Sequence, residues 1–98
     1  MRVPVFRAHS EAVHFQTAEA ISPDEVRALL AEAPGVEVVD DPAKKEYPMP
    51  IYATGRAEVL VGRIRRDPSV ENGMALFLAG DQLLKGAALN AVQIAELL

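Results

Sequence analysis

Cysteine is absent from this sequence of 98 residues, and so is tryptophan. Without cysteine the chain contains no disulfide bond, no zinc–thiolate site and no cysteine nucleophile. The sequence also lacks a long uninterrupted apolar run, because Asp81, Lys85, Asn90 and Glu96 divide its most apolar helical segment. That pattern excludes a membrane span. Because no signal-peptide pattern follows Met1, we expect a cytoplasmic protein.

Positive charge is scarce as well, since 10 Lys and Arg residues face 14 Asp and Glu residues and the net charge is -4. This balance argues against non-specific binding to nucleic acid or to an acidic membrane surface, so we expect neither as a partner. Hydrophobic residues, in contrast, make up 50% of the chain, which is enough to fill a core. The length predicts one domain over residues 1–98.

Local patterns predict the elements of the first third of the chain. Strand-like patterns cover residues 2–8 and 11–20, and the second alternates between apolar and polar positions. Pro4 assigns the first strand to a sheet edge, a strand start or a bulge. The segment Ser22–Glu25 predicts a helix start with a capping box, and Gly35 predicts the end of that helix.

The rest of the chain is predicted to hold three strands and a second helix. Strands are expected over residues 36–39, 59–65 and 74–79, a long extended loop over 43–56, and a helix over 81–98. The order β-β-α-β-β-β-α predicts an α+β fold, with a mostly antiparallel sheet and helices on one face. The last helix is apolar over more than one narrow stripe, so we expect another chain to cover it.

Arg2 and His9 are the residue types best suited to chemistry at one site. An arginine guanidinium grips a carboxylate or phosphate with two hydrogen bonds, and histidine transfers protons near neutral pH. Their separation of seven residues puts them on opposite faces of a regular strand. They share a site only if a bulge shifts the phase or His9 lies beyond the strand end. Spacing alone favours an exposed arginine and a packed histidine.

Other polar residues give weaker indications. His9 and His14 face opposite sides of a strand and have no motif-spaced carboxylate or cysteine ligand beside them, so no metal site is expected. Arg63, Arg65 and Arg66 form a basic cluster, for which a solvated strand face is favoured over a phosphate site.

Gln82 is a further candidate because its amide pairs well with another amide. The alternative is that Asp81 caps the last helix and Gln82 is merely exposed. Gly86 lies inside that helix without a capping role, which indicates close approach by a ligand or another backbone.

Taken together, several segments resemble the C-terminal part of bacterial aspartate-semialdehyde dehydrogenase. The resemblance covers essentially the whole chain, and its last segment is the most specific. The matching segments are Arg2–Val5, His9–Val13, Tyr47–Pro50, Val61–Arg65 and Gly80–Glu96.

The resemblance implies an NADP-dependent enzyme that interconverts L-aspartyl 4-phosphate and L-aspartate 4-semialdehyde on the route to lysine, threonine and methionine. It implies that Arg2 holds the substrate α-carboxylate, that His9 is the general acid and base beside a cysteine thiol, and that Gln82 lies near the nicotinamide amide. Two features depart from the family. Ala8 stands where glycine is common, and the nucleotide-binding domain and the cysteine segment are absent from these residues.

Three hypotheses follow from this resemblance. In the first, the chain is part of the dehydrogenase, is inactive alone for lack of the thiol, and works as a homo-oligomer (a dimer) or with a chain that supplies the nucleotide-binding half. In the second, it is a non-catalytic dimerisation module related to the family. The third, a related enzyme acting on N-acetylglutamyl phosphate, fits the Gly80–Glu96 segment less well.

Overall fold

A computed structural model describes residues 3–98 of the chain. Four strands form one sheet in the order β1-β4-β3-β2. β1 pairs antiparallel with β4, β4 antiparallel with β3, and β3 parallel with β2. The elements are β1 (His9–Gln16), α1 (Pro23–Ala31), β2 (Val36–Val38), α2 (Pro50–Ala53), β3 (Val59–Arg66), β4 (Gly73–Gly80), a π-helical segment (Leu84–Ala88) and α3 (Leu89–Ala95).

The α+β class is therefore confirmed, with a mixed sheet in place of a mostly antiparallel one. The strand expected over residues 2–8 is wrong for its described part, since residues 3–8 form no strand and β1 begins at His9. The expected loop over 43–56 contains the short helix α2. The other predicted strands form within a few residues of their expected bounds.

Helix α1 covers one face of the sheet. Ser22 accepts a hydrogen bond from the Glu25 amide at 3.2 Å, and the Glu25 carboxylate accepts one from the Ser22 amide at 2.7 Å. This capping box confirms the predicted helix start. Val26 then packs with Val61, Ile64 and Met74 in the larger of the two cores.

The second core lies on the opposite face, under α2. Leu60 and Val61 are neighbours on β3, so their side chains point to opposite faces. Leu60 packs with Ala8, Ala53 and Ala79 rather than with α1. The segment before β1 and the helix α2 thus cover the face that α1 leaves open.

The last helical region is wound differently from the expected single helix over 81–98. A π-helical segment comes first, and α3 ends at Ala95. Its apolar side chains are largely in solvent, with Val92 and Ile94 each 54% exposed and Leu97 87% exposed. Within residues 3–98, no helix has the length and apolar character needed to cross a membrane.

A bulge in β3 changes the strand's direction. The pairing with β4 shifts between Gly62 and Arg65, and Arg63 takes a positive φ of 54°. The buried carboxylate of Asp40 accepts hydrogen bonds from the amides of Arg63 and Ile64, at 2.7 and 3.3 Å. Arg27 donates to the same carboxylate at 2.7 Å, so the backbone groups freed by the bulge are satisfied.

Candidate functional site

His9 and Gln82 line one cleft of about 490 Å³, where β1 begins and β4 ends. His9 is the first residue of β1 and pairs with Gly80, while Gln82 follows β4 by two residues. The same cleft is lined by Glu11 and Lys85, which the sequence did not single out. The structure thus brings together two of the three predicted site residues, whereas Arg2 lies outside the described residues.

The Gln82 side chain is held by the backbone beside His9. Its Oε1 accepts a hydrogen bond from the Ala8 amide at 2.7 Å. Because Oε1 is engaged, the group of Gln82 that suits a further contact is its Nε2 donor. An amide donor of this kind fits the carbonyl oxygen of a carboxamide.

Ala8 explains how the chain turns into the site. Its φ is 69°, in the left-handed region where a Cβ is disfavoured and glycine is preferred. The segment before His9 is therefore not a continuous strand with β1. The expectation that Arg2 and His9 face opposite sides assumed a regular strand over residues 2–8, whereas residues 3–8 form no strand.

Asp81 is buried, with 1% of its surface exposed. Its Oδ1 accepts a hydrogen bond from the Leu83 amide at 2.9 Å, in the turn before the π-helical segment, whose N-cap position is Leu83 rather than Asp81. Its Oδ2 accepts from the Gly55 amide at 2.7 Å and from Nε of Arg7 at 3.1 Å, and Nη2 of Arg7 forms an ion pair with the same oxygen at 3.0 Å. The Gly55 and Leu83 amides, and then Arg7, lower the Asp81 pKa against the opposing effect of burial.

The sequence did not predict the contacts of Asp81 with Arg7 and Gly55. Arg7 is 74 residues away and Gly55 is 26 residues away. Of its hydrogen bonds, only the one with Leu83 is local in sequence.

His14 is separate from the cleft. Its Nδ1 lies 2.7 Å from Oδ2 of Asp67, whose other carboxylate oxygen accepts from the Ser69 hydroxyl at 2.6 Å. Ser69 and, after it, His14 hold the pKa of Asp67 well below its usual value. Among residues 3–98, no group of three or more His, Asp or Glu side chains is arranged to hold a metal ion.

Two residues of the basic cluster lie beside a second, smaller groove. Arg63 and Arg65 line a groove of about 280 Å³ with Tyr47, Pro48 and Phe77. Both arginines are exposed, and Arg65 donates to the Arg63 carbonyl at 2.7 Å. Arg66 pairs with Met74 beyond the bulge. The cluster does not line the cleft of His9 and Gln82.

Both the sequence and the fold match known proteins. The family model described as "Semialdehyde dehydrogenase, dimerisation domain" matches residues 1–85, so the chain belongs to that family. Its curated relatives are aspartate-semialdehyde dehydrogenases. It is 55% identical over 98 residues to the enzyme of Aquifex aeolicus and 57% identical over 98 residues to that of Synechocystis sp., and it covers 29% of the length of each.

A solved structure agrees with these relatives. Aspartate semialdehyde dehydrogenase II from Vibrio cholerae, in a complex with ASA, shares 43% sequence identity with this chain and superposes with a TM-score of 0.89. The match covers 98% of this chain and 28% of that one. The chain therefore spans less than a third of the proteins that it matches, and it corresponds to their C-terminal part.

Proposed function

We propose that this chain supplies the acid–base and dimerisation part of an NADP-dependent aspartate-semialdehyde dehydrogenase. The observation that carries the proposal is that His9 and Gln82 line one cleft. These are the residues for which the resemblance implies proton transfer and nicotinamide recognition. The reaction is the interconversion of L-aspartyl 4-phosphate and L-aspartate 4-semialdehyde, within amino-acid biosynthesis in the cytoplasm.

In this proposal Arg2 binds the substrate and His9 transfers protons. Arg2 binds the substrate α-carboxylate through its two-pronged guanidinium. His9 acts first as a general base, which takes the proton of the attacking thiol. It then acts as a general acid, which donates a proton to the substrate. The thiol and the nucleotide-binding half come from outside these residues, because the chain contains no cysteine.

The cofactor assignment rests on Gln82. The bond from the Ala8 amide to its Oε1 fixes the side chain. In this proposal its Nε2 donates to a bound molecule, and such a donor fits the carboxamide of a nicotinamide ring. NADPH supplies a hydride when bound. The role of this chain is to orient the ring through Gln82.

A chimera tests the proposed function. Residues 1–98 replace the matching segment of the Aquifex aeolicus enzyme, and NADPH formation is followed with aspartate semialdehyde, phosphate and NADP as reactants. We expect the chimera to be active and the 98-residue chain alone to be inactive, because covalent catalysis needs the thiol. A folded chimera without activity would contradict the proposal, and so would turnover by the chain alone.

A second function, that of an association module, is supported by the exposed apolar side chains of the last helical region and by the description of the family. We expect the isolated chain to form a homodimer, because solvent-exposed apolar groups of this kind favour association. Sedimentation velocity over a range of concentrations measures the association directly. A monomer at every concentration tested would contradict this expectation. A dimer combined with an inactive chimera would favour the non-catalytic alternative.

A further inference from the structure

We infer that Asp81 is a positioning residue, whose buried carboxylate holds His9 and Gln82 in their places on the cleft. The inference rests on the proposed function, because that function gives the positions of His9 and Gln82 their importance. The contacts themselves do not depend on it. Asp81 has no role in the chemistry described above, yet its carboxylate is one of the most deeply buried polar groups of the described residues.

The Asp81 carboxylate joins three parts of the chain. It accepts hydrogen bonds from the Arg7 guanidinium before β1, from the Gly55 amide after α2, and from the Leu83 amide at the start of the last helical region. Three hydrogen bonds and the ion pair with Nη2 of Arg7 therefore converge on two oxygen atoms, and all of them favour the charged form of the carboxylate.

Two consecutive residues before β1 each contact one of two consecutive residues after β4. Arg7 binds Asp81, and the next residue, Ala8, donates to the next residue, Gln82. His9 follows Ala8 directly and pairs with Gly80 across the sheet. A shift of Arg7 relative to Asp81 therefore moves the backbone that carries His9 and releases Oε1 of Gln82 at the same time.

The charge of Asp81 is needed as well as its shape. In Asp81→Asn one of the two acceptor oxygens becomes an NH2 group, which faces an N–H donor instead of accepting from it. At least one link is then lost, although the side chain keeps its volume. The substitution therefore tests the link without opening a cavity.

Asp40 offers a matched control. Its side chain is 1% exposed and it pairs with an arginine. It also accepts hydrogen bonds from two backbone N–H groups. It lies at the β3 bulge and does not line the cleft. Asp40→Asn should weaken the fold for the same physical reason as Asp81→Asn, but without moving His9 or Gln82.

The kinetic test uses the chimera. We expect Asp81→Asn to lower kcat about 10- to 100-fold, the size of effect that small misplacements of reacting groups produce. We also expect it to raise the KM for NADP and to shift the pH profile of kcat/KM. Asp40→Asn should leave kcat and the pH profile as they are. Equal kinetics for the two variants in an active chimera would overturn the inference and leave the proposed function standing.

The 98-residue chain provides a second test that needs no activity. The Ala8 amide proton should exchange with solvent at least ten-fold faster in Asp81→Asn than in the parent chain and in Asp40→Asn, as measured by NMR. Arg7→Lys keeps the charge but loses the planar guanidinium with its several N–H donors. It should therefore raise the exchange rate by less than Asp81→Asn does. Unchanged exchange at Ala8 in Asp81→Asn would overturn the inference, whatever the chimera does. An inactive chimera with faster exchange would contradict only the proposed function.

Discussion

Replacing His9 by asparagine is expected to lower kcat of the chimera by about 100- to 10,000-fold, the usual contribution of a general acid or base. His9 is exposed at the end of an edge strand, so the substitution leaves both cores intact. Asparagine keeps a polar side chain but cannot take up or release a proton near neutral pH. Steady-state kinetics in both directions, at several pH values, measure the loss and the disappearance of one limb of the pH profile.

His14 is the control for that experiment. It lies on the same strand but pairs with Asp67 and does not line the cleft. His14→Asn should therefore keep kcat within about two-fold of the parent chimera, because general acid–base catalysis requires reach to the reacting proton. A His9→Asn variant with the parent's kcat would remove His9 from the mechanism. An equal loss in both variants would show that the sheet edge, rather than one histidine, had been disturbed.

The elements that could be predicted from the sequence are those with local causes. The helix start at Ser22 depends on groups three residues apart, and Met74–Ala79 is an apolar run. The missed helix α2 has only four residues, too few for a periodic pattern. The strand expected before His9 failed because Ala8 turns the chain with a positive φ, a conformation that alanine does not signal.

Some features of the candidate site could likewise be predicted from the sequence, and others could not. His9 and Gln82 could be proposed because each belongs to a recognisable segment, and the structure adds that they share a cleft. The contacts that hold them could not be proposed, since Arg7 and Asp81 are 74 residues apart and depend on how the strands pair. The mixed sheet was missed for a similar reason, because nothing local to Val36–Val38 determines the direction of its partner strand.

Gly62 lies in β3 just before the bulge. A Cβ at Gly62 would stand 2.0 Å from the Val39 carbonyl oxygen and 2.7 Å from Cδ of Pro48. The first of these is backbone and cannot rotate away, because the Val39 amide is tied to the Val61 carbonyl at 2.8 Å. We expect Gly62→Ala to lower the free energy of unfolding by about 3 kcal/mol, the upper part of the range for overpacking. In a domain of this size that lowers Tm by roughly 12 to 24 °C.

Gly86→Ala is the matched control, because it adds the same methyl group where no atom lies too close. Its Cβ would meet its nearest neighbour, Cβ of Gln82, at 3.6 Å, an ordinary van der Waals contact. In a helical segment the exchange of glycine for alanine should raise the stability by about 0.5 to 1 kcal/mol. Urea unfolding of both variants at one protein concentration separates the two effects. If Gly62→Ala were as stable as Gly86→Ala, the segment from Val39 to Pro48 would not cross β3 as closely as the structure places it, and the groove beside Arg63 would have a different shape.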